Sequence, residues 1–99
     1  MIKCLAISEL NPKAHYSLGL CFLRTNDLEP AVDEFLQSLE LNHSNPGGHY
    51  HLGEALYKMG EYSGAERAFN VAISLKPGMS KAHRWLIEIY KEHLPNAEK

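Results

Sequence analysis

The stretch NPGGHYHLG at residues 45–53 decides the fold, because a closely similar stretch, NPKAHYSLG, occupies residues 11–19. The two stretches share Asn, Pro, His, Tyr, Leu and Gly in register. The spacing continues downstream, where SKAHRWL places His83 as far beyond His49 as His49 lies beyond His15. A fixed period of this length, about 34 residues, is typical of a helical repeat protein.

Each unit of the repeat predicts two helices. Asn-Pro opens the first helix in both copies, with asparagine as the cap and proline at the first helical position. One face of the first helix carries a histidine with apolar or small residues: His15, Leu18, Gly19 and Phe22, and again His49, Leu52, Gly53 and Leu56. The second helix carries an apolar stripe at Leu28, Ala31, Val32, Phe35 and Leu39, and again at Tyr62, Ala65, Phe69 and Ile73.

Two slots of the repeat predict backbone geometry. Asn26 and Gly60 share the slot between the two helices, and these residue types best tolerate the left-handed conformation that ends a helix. Gly19 and Gly53 lie inside predicted helices, where glycine costs about 1 kcal/mol relative to alanine. Small residues such as Ala31 occupy the partner helix, so we expect the two backbones to approach closely at these glycines.

These slots resemble the tetratricopeptide repeat, whose pattern is W-x2-L-G-x2-Y, then A-x3-F, then P. The matching residues are His15, Leu18, Gly19, Phe22, Ala31 and Phe35, followed by His49, Leu52, Gly53, Leu56, Ala65, Phe69 and Pro77. The chain departs from the pattern where histidine fills the tryptophan slot, where His43 replaces the closing proline, and where Ile87 replaces the glycine. The resemblance implies an all-α fold, an α-solenoid of antiparallel helix pairs wound as a right-handed superhelix.

The register predicts how the repeats divide the chain. We expect a partial second helix of a preceding repeat at 1–11, repeats at 12–45 and 46–79, and a final helix with a tail at 80–99. The final helix, a half repeat or a cap, would turn an apolar face toward a second helix that the sequence does not supply. These two ends predict a segment of a longer array or a homo-oligomer joined through exposed solenoid ends. The residues of that last face are His83, Ile87, Tyr90 and Leu94.

Composition excludes several classes of function. The formal net charge is −2 and the basic residues are scattered, so no nucleic-acid partner is expected. No apolar run approaches the roughly 20 residues of a membrane span. The opening MIKCLAIS is too short, and too quickly followed by Glu9, for a signal peptide. We therefore expect no membrane partner and a cytoplasmic, intracellular location.

Metal binding and catalysis are the weaker alternatives. His15, His49 and His83 are one structural position sampled three times, which favours packing residues over a zinc site with ligands at short loop spacing. No G-x-S-x-G, phosphate loop or H-E-x-x-H is present. Carboxylates such as Glu34 and Glu66 fall on positions that we expect to be solvated. No catalytic residue, metal ligand or cofactor is predicted.

The resemblance implies that the first helices line a concave groove that binds peptides. Aromatic residues beside charged ones suit such a groove, because Tyr, Trp and Arg dominate interface energetics. The candidate ligand-binding residues are Tyr16, Leu20, Leu23, Tyr50, His51, Glu54, Tyr57, Lys81, Arg84, Trp85 and Glu88. The same helix faces also carry Lys13, Ser17, Arg24, Lys58 and Lys91. An alternative stays open for Tyr16, Leu20 and Tyr50, which would simply pack between adjacent repeats.

One sub-class of the family holds the C-terminal carboxylate of a chaperone with Lys, Asn and Arg on the groove helices. The corresponding slots here hold Tyr16, Leu20, His51, Lys81 and Trp85, and only Lys81 fits. A chaperone C-terminal tail is therefore not the expected partner. The sequence predicts a non-enzymatic protein-interaction module, with a structural or self-associating segment as the first alternative and a metal-binding or enzyme-associated protein as the second.

Overall fold

The computed structural model describes residues 12–42 and 44–93 and has five α-helices in that part of the chain: the first four form two antiparallel pairs, and the fifth packs against the fourth. The helices are α1 Pro12–Arg24, α2 Leu28–Leu41, α3 Pro46–Lys58, α4 Tyr62–Leu75 and α5 Ser80–Glu88, followed by a π-helical turn at Ile89–His93. Every regular element in the described part of the chain is helical, which confirms the all-α prediction. The helix predicted at 1–11, His43 and Leu94 lie outside the described residues.

The turns inside the two helix pairs have the predicted left-handed backbone. Asn26 has a φ of 65° and Gly60 a φ of 86°. After Gly60 the chain closes the helix end, where the N–H of Glu61 donates to the carbonyl of Leu56 at 2.9 Å. The equivalent bond after Asn26 is 2.8 Å long. Such bonds satisfy carbonyls that a helix end leaves without an intrahelical partner.

The two glycines inside helices make room for phenylalanine rings. A Cβ added to Gly19 would lie 2.6 Å from the ring of Phe35, and one added to Gly53 would lie 2.8 Å from that of Phe69. The sequence predicted that two helix backbones approach closely at these glycines, but the closest contact is made by a side chain. The nearest atoms belong to a phenyl ring and not to the alanine predicted to lie there, Ala31, although that alanine is fully buried.

The core is continuous from α1 to the π-helical turn. Phe35, Phe69 and Ile89 are completely buried. Leu56 packs against both the cluster around Phe35 and the cluster around Phe69, and so joins them. The molecule measures 47 × 27 × 19 Å along its principal axes, the elongated form expected when each helix pair contacts only its neighbours. Across residues 12–42 and 44–93, none of the helices has both the length and the apolar character needed to cross a membrane.

The last helix differs from its prediction. The sequence predicts one final helix within 80–99, but the α-helical hydrogen bonding of α5 gives way at Ile89 to a wider π-helical turn. Tyr90 lies in this turn and donates from its hydroxyl to Glu66 of α4 at 2.8 Å. This bond raises the pKa of Tyr90. Tyr90 therefore packs back onto α4, whereas Ile87 is exposed. His83 is exposed as well, so the prediction that it is a packing residue like His15 and His49 is wrong.

Candidate functional site

A pocket of about 470 Å³ lies between α3 and α5. All six lining residues are predicted groove residues: Tyr50, Tyr57, Lys81, Arg84, Trp85 and Glu88. The rings of Tyr57 and Trp85 meet edge to face with centroids 4.7 Å apart. Lys81, Arg84 and Glu88 are exposed. This Trp85 pocket, named for its largest side chain, combines aromatic walls with a charged rim.

A second, smaller pocket of about 280 Å³ lies between α1 and α3 and is here called the His51 pocket. Its lining residues are Leu20, Leu23, Arg24, His51, Glu54 and Lys58. Three of these positions, 23, 51 and 54, recur one repeat later as positions 57, 85 and 88 of the Trp85 pocket. The two pockets therefore occupy equivalent places in successive repeats but are lined by different side chains.

Behind the His51 pocket, three rings form the His51 cluster, which consists of Tyr16, Phe35 and His51. The imidazole stacks on Phe35 at an interplanar angle of 22° with centroids 6.1 Å apart. Tyr16 lies 5.7 Å from the imidazole and 5.9 Å from Phe35, centroid to centroid. Burial raises the pKa of Tyr16. The cluster joins α1, α2 and α3, so its rings hold the first helix pair against the next helix.

The same arrangement recurs behind the Trp85 pocket as the Trp85 cluster, which consists of Tyr50, Phe69 and Trp85. The indole stacks on Phe69 at 6° with centroids 5.8 Å apart, and Tyr50 lies 5.7 Å from Phe69. The indole Nε1–H donates to the Tyr50 hydroxyl at 3.1 Å. This hydrogen bond links successive first helices, as the contact between Tyr16 and His51 does one repeat earlier.

The surroundings of His51 fix its tautomer. Its Nδ1 lies 2.9 Å from the carbonyl oxygen of Gly47 and 3.0 Å from the hydroxyl of Tyr16. A carbonyl oxygen can only accept, so Nδ1 carries the proton and Nε2 is bare in the neutral ring. Burial lowers the pKa of His51 below its ordinary value of 6.5, and the charge of Lys81 lowers it further. The Gly47 carbonyl and Glu54 oppose that shift without cancelling it.

The structure brings the eleven predicted groove residues onto the face formed by α1, α3 and α5, but not all of them into the pockets. Tyr16 and Tyr50 pack between repeats, the alternative left open by the sequence, although Tyr50 also lines the Trp85 pocket. Leu23 is only 8% exposed and belongs mainly to the core. The sequence did not predict the contact between Tyr16 and His51 or the contact between Tyr50 and Trp85. The equal separation of these two pairs along the chain was the available signal.

The three histidines of the repeated slot have three different environments. His15 is half-buried and its Nδ1 contacts the carboxylate of Glu34 at 2.7 Å. His49 is half-buried, and His83 is exposed, with Nε2 3.3 Å from the carbonyl of Pro77. The expectation that Glu34 and Glu66 are solvated is wrong, because these half-buried carboxylates bind His15 and Tyr90. Among residues 12–42 and 44–93, no group of three or more potential ligands is placed to hold a metal ion.

Comparison with known proteins agrees with this geometry. The family model ANAPC3, described as anaphase-promoting complex, cyclosome, subunit 3, matches residues 3–72. None of the curated proteins matches the chain in sequence.

Two solved structures of MamA are each 28% identical to the chain, with a TM-score of 0.81. They cover 83% and 89% of this chain, and the chain spans about half of theirs, 48% and 51%. The first TPR of Spaghetti (RPAP3), bound to the HSP90 peptide SRMEEVD, has a TM-score of 0.81 at 18% identity, with 83% of this chain and 65% of that one covered. At that identity the likeness concerns the fold alone.

Proposed function

The chain belongs to the ANAPC3 family of tetratricopeptide-repeat proteins, and on that premise we propose that it is a non-enzymatic module that binds a peptide or partner segment. The fold itself implies protein–protein interaction. The proposed binding surface is the face of α1, α3 and α5, which would be the concave groove of the solenoid. The observation that carries the proposal is the Trp85 pocket, where side chains from two successive first helices converge on one cavity.

The packing of the Trp85 pocket supports this proposal because it holds the pocket in shape before a ligand arrives. Trp85 is stacked on Phe69 and hydrogen-bonded to Tyr50, so little side-chain entropy remains to be lost on binding. Tyr, Trp and Arg are the residues that most often dominate an interface. The RPAP3 repeat binds a chaperone peptide, but the clamp residues of that sub-class are missing here apart from Lys81, so we do not propose a chaperone tail.

The proposal extends to the organisation and setting of the chain. We propose repeat units at 12–45 and 46–79, flanked by a partial unit at 1–11 and a final half repeat or cap at 80–99. The equal spacing of the first residues of α1, α3 and α5 along the chain supports these units. A cytoplasmic location, and the absence of nucleic-acid and membrane partners, are parts of the same proposal and rest on composition.

A displayed library of random peptides tests the binding face. Tyr57→Ala with Arg84→Glu alters the pocket but keeps both partners of the Tyr50–Trp85 hydrogen bond, which links the repeats. Arg67→Glu on α4 is the matched control, because it reverses an exposed charge away from both pockets. We expect peptides that bind the wild type and the control but lose about tenfold or more in affinity for the pocket variant. If the library contains no such peptides, the chain is better explained as a structural segment without a peptide ligand.

Self-association is the second candidate, favoured by one observation. Ile87 on α5 is 57% exposed in the slot that glycine fills in α1 and α3. If this face joins two copies, Ile87→Lys shifts the chain to a monomer of 11.2 kDa in sedimentation equilibrium. A wild type that already sediments as a monomer at high concentration would remove this candidate.

A further inference from the structure

The charges of the chain are unevenly distributed over the two faces of the repeat. The two pockets present four cationic side chains, Arg24, Lys58, Lys81 and Arg84, against two carboxylates, Glu54 and Glu88. The whole chain has a formal net charge of −2. Helix α2 carries Glu29, Asp33, Glu34 and Glu40 and neither Lys nor Arg. The pocket face is therefore positive on a chain that is negative overall.

Most of the positive charge on this face is available to a ligand. Lys58 lies 3.9 Å from Glu54, a long and partly exposed pairing that contributes little to stability. Arg24, Lys81 and Arg84 are exposed, and none has an ion-pair partner within the described part of the chain. The charge of Lys81 also reaches the other pocket, where it acts on His51. At His51 the opposite effect of Glu54 is larger, so the positive charge offered to a ligand is that of the exposed side chains of Arg24, Lys81 and Arg84.

The walls of the two pockets favour different side chains. The Trp85 pocket has the rings of Tyr50, Tyr57 and Trp85, which suit an aromatic or aliphatic side chain. The His51 pocket is flanked by Arg24, whose planar guanidinium can bind a carboxylate through two hydrogen bonds. The pockets are neighbours, because the rings of Tyr50 and His51, one from each lining, meet edge to face at 5.1 Å.

We propose, building on the proposed function, that the partner is an acidic extended segment with two anchors. An aromatic or aliphatic side chain fills the Trp85 pocket, and a carboxylate side chain binds Arg24 beside the His51 pocket. Packed helices lie about 8–10 Å apart and an extended chain advances about 3.3 Å per residue, so the anchors are about three residues apart. The carboxylate belongs to an aspartate or glutamate side chain inside the segment, so a free C-terminus is not required.

Designed peptides test this partner directly. The probe is a fluorescent glycine–serine peptide with both termini capped, one tryptophan, and a glutamate about three residues away on either side. A matched peptide carries glutamine in place of each glutamate. Fluorescence anisotropy then compares the two peptides on the wild type, on Arg24→Gln and on Arg67→Gln, the control on α4. Both substitutions change exposed side chains, and circular dichroism checks that helicity is retained.

The expected result is a preference of about fivefold for the glutamate peptide, the size of one exposed charged contact. That preference weakens with added salt, vanishes in Arg24→Gln and persists in Arg67→Gln. Equal binding of both peptides by the wild type, with both weakened by Tyr57→Ala, overturns the acidic partner and leaves binding at this face intact. If neither peptide binds, the two-anchor segment is overturned, and the random library alone decides whether the face binds peptides.

Discussion

The His51 cluster and the Trp85 cluster occupy equivalent positions in successive repeats and pack in the same way with different third rings. Each has a tyrosine, a buried phenylalanine and a third ring in equivalent positions, and the corresponding centroid distances differ by a few tenths of an ångström. The third ring is an imidazole in one cluster and an indole in the other. The geometry of the repeat is therefore fixed by tyrosine and phenylalanine, while the third position is open to a change of chemistry.

The largest loss of stability is expected on replacing the phenylalanines, where the two clusters are most alike. Phe35 and Phe69 are both fully buried, so Phe35→Ala and Phe69→Ala should each lower the free energy of unfolding by about 3–5 kcal/mol. Urea unfolding followed by circular dichroism measures the change. Leu36→Ala, at a site 49% exposed on α2, is the control and should change stability by less than about 0.5 kcal/mol. A loss confined to one phenylalanine would show that the clusters are not equivalent.

The next largest loss of stability is expected on replacing the glycines that lie against these rings. Gly19→Ala and Gly53→Ala gain helix propensity, about 1 kcal/mol each. The added methyl would meet a phenyl ring at 2.6 or 2.8 Å, and overpacking of this kind costs about 1–3 kcal/mol. We expect net destabilisation in thermal unfolding, larger for Gly19 because its contact is closer.

Gly78→Ala is the matched control for both glycines. A Cβ at Gly78 meets nothing within 4 Å and its φ is not in the left-handed region. This variant should be neutral or slightly stabilising. If Gly19→Ala and Gly53→Ala behave in the same way as Gly78→Ala, the rings move aside easily and the repeat does not require glycine at these slots.

The sequence predicted the features that depend on neighbours in the chain. The left-handed turns at Asn26 and Gly60 follow from local backbone preferences, and the grouping of Lys81, Arg84 and Trp85 on one face follows from helical spacing alone. Both were correct because a helix fixes which of its own residues lie side by side. The resemblance to a known repeat supplied the pairing of the helices.

The features that depend on long side chains from elsewhere in the chain were not predictable. The neighbour of Gly19 is a ring reaching from α2, and the partner of Glu66 is Tyr90, 24 residues away. The π-helical turn that positions Tyr90 has no distinctive local sequence. Whether Tyr16 packs or binds likewise depended on His51, a residue of the following repeat. Side-chain reach across repeats, and not the helices themselves, is what the pattern left undetermined.

Acidification should lower the stability that the His51 cluster contributes and leave that of the Trp85 cluster unchanged. The pKa of His51 is lowered in the folded chain, so folding favours the neutral ring and the unfolded chain binds the proton more readily. The contribution of neutral His51 is complete above the ordinary pKa of 6.5 and diminishes as the pH falls below it, down to the lowered pKa of the folded state. Glu54 opposes this loss and Lys81 adds to it.

The measurement is urea unfolding of the wild type and His51→Gln across that pH range. The other histidines are the same in both proteins, so the difference between the two curves isolates His51. The wild type should lose stability on acidification faster than the variant. Parallel curves would show that the His51 cluster is as insensitive to acid as the Trp85 cluster, whose indole does not titrate.

The smallest change in stability is expected on removing the hydroxyl of Tyr50 or of Tyr16. Tyr50→Phe removes the acceptor of the Trp85 Nε1–H, and a half-buried donor without its partner costs about 0.5–1.5 kcal/mol. Tyr16→Phe should cost less, because Nδ1–H of His51 keeps the Gly47 carbonyl at 2.9 Å. Denaturant midpoints of the two variants at neutral pH measure the difference, and the indole fluorescence reports the local change only for Tyr50→Phe. Equal losses would mean that His51 donates mainly to Tyr16, and the backbone bond that distinguishes the His51 cluster would then have no energetic weight.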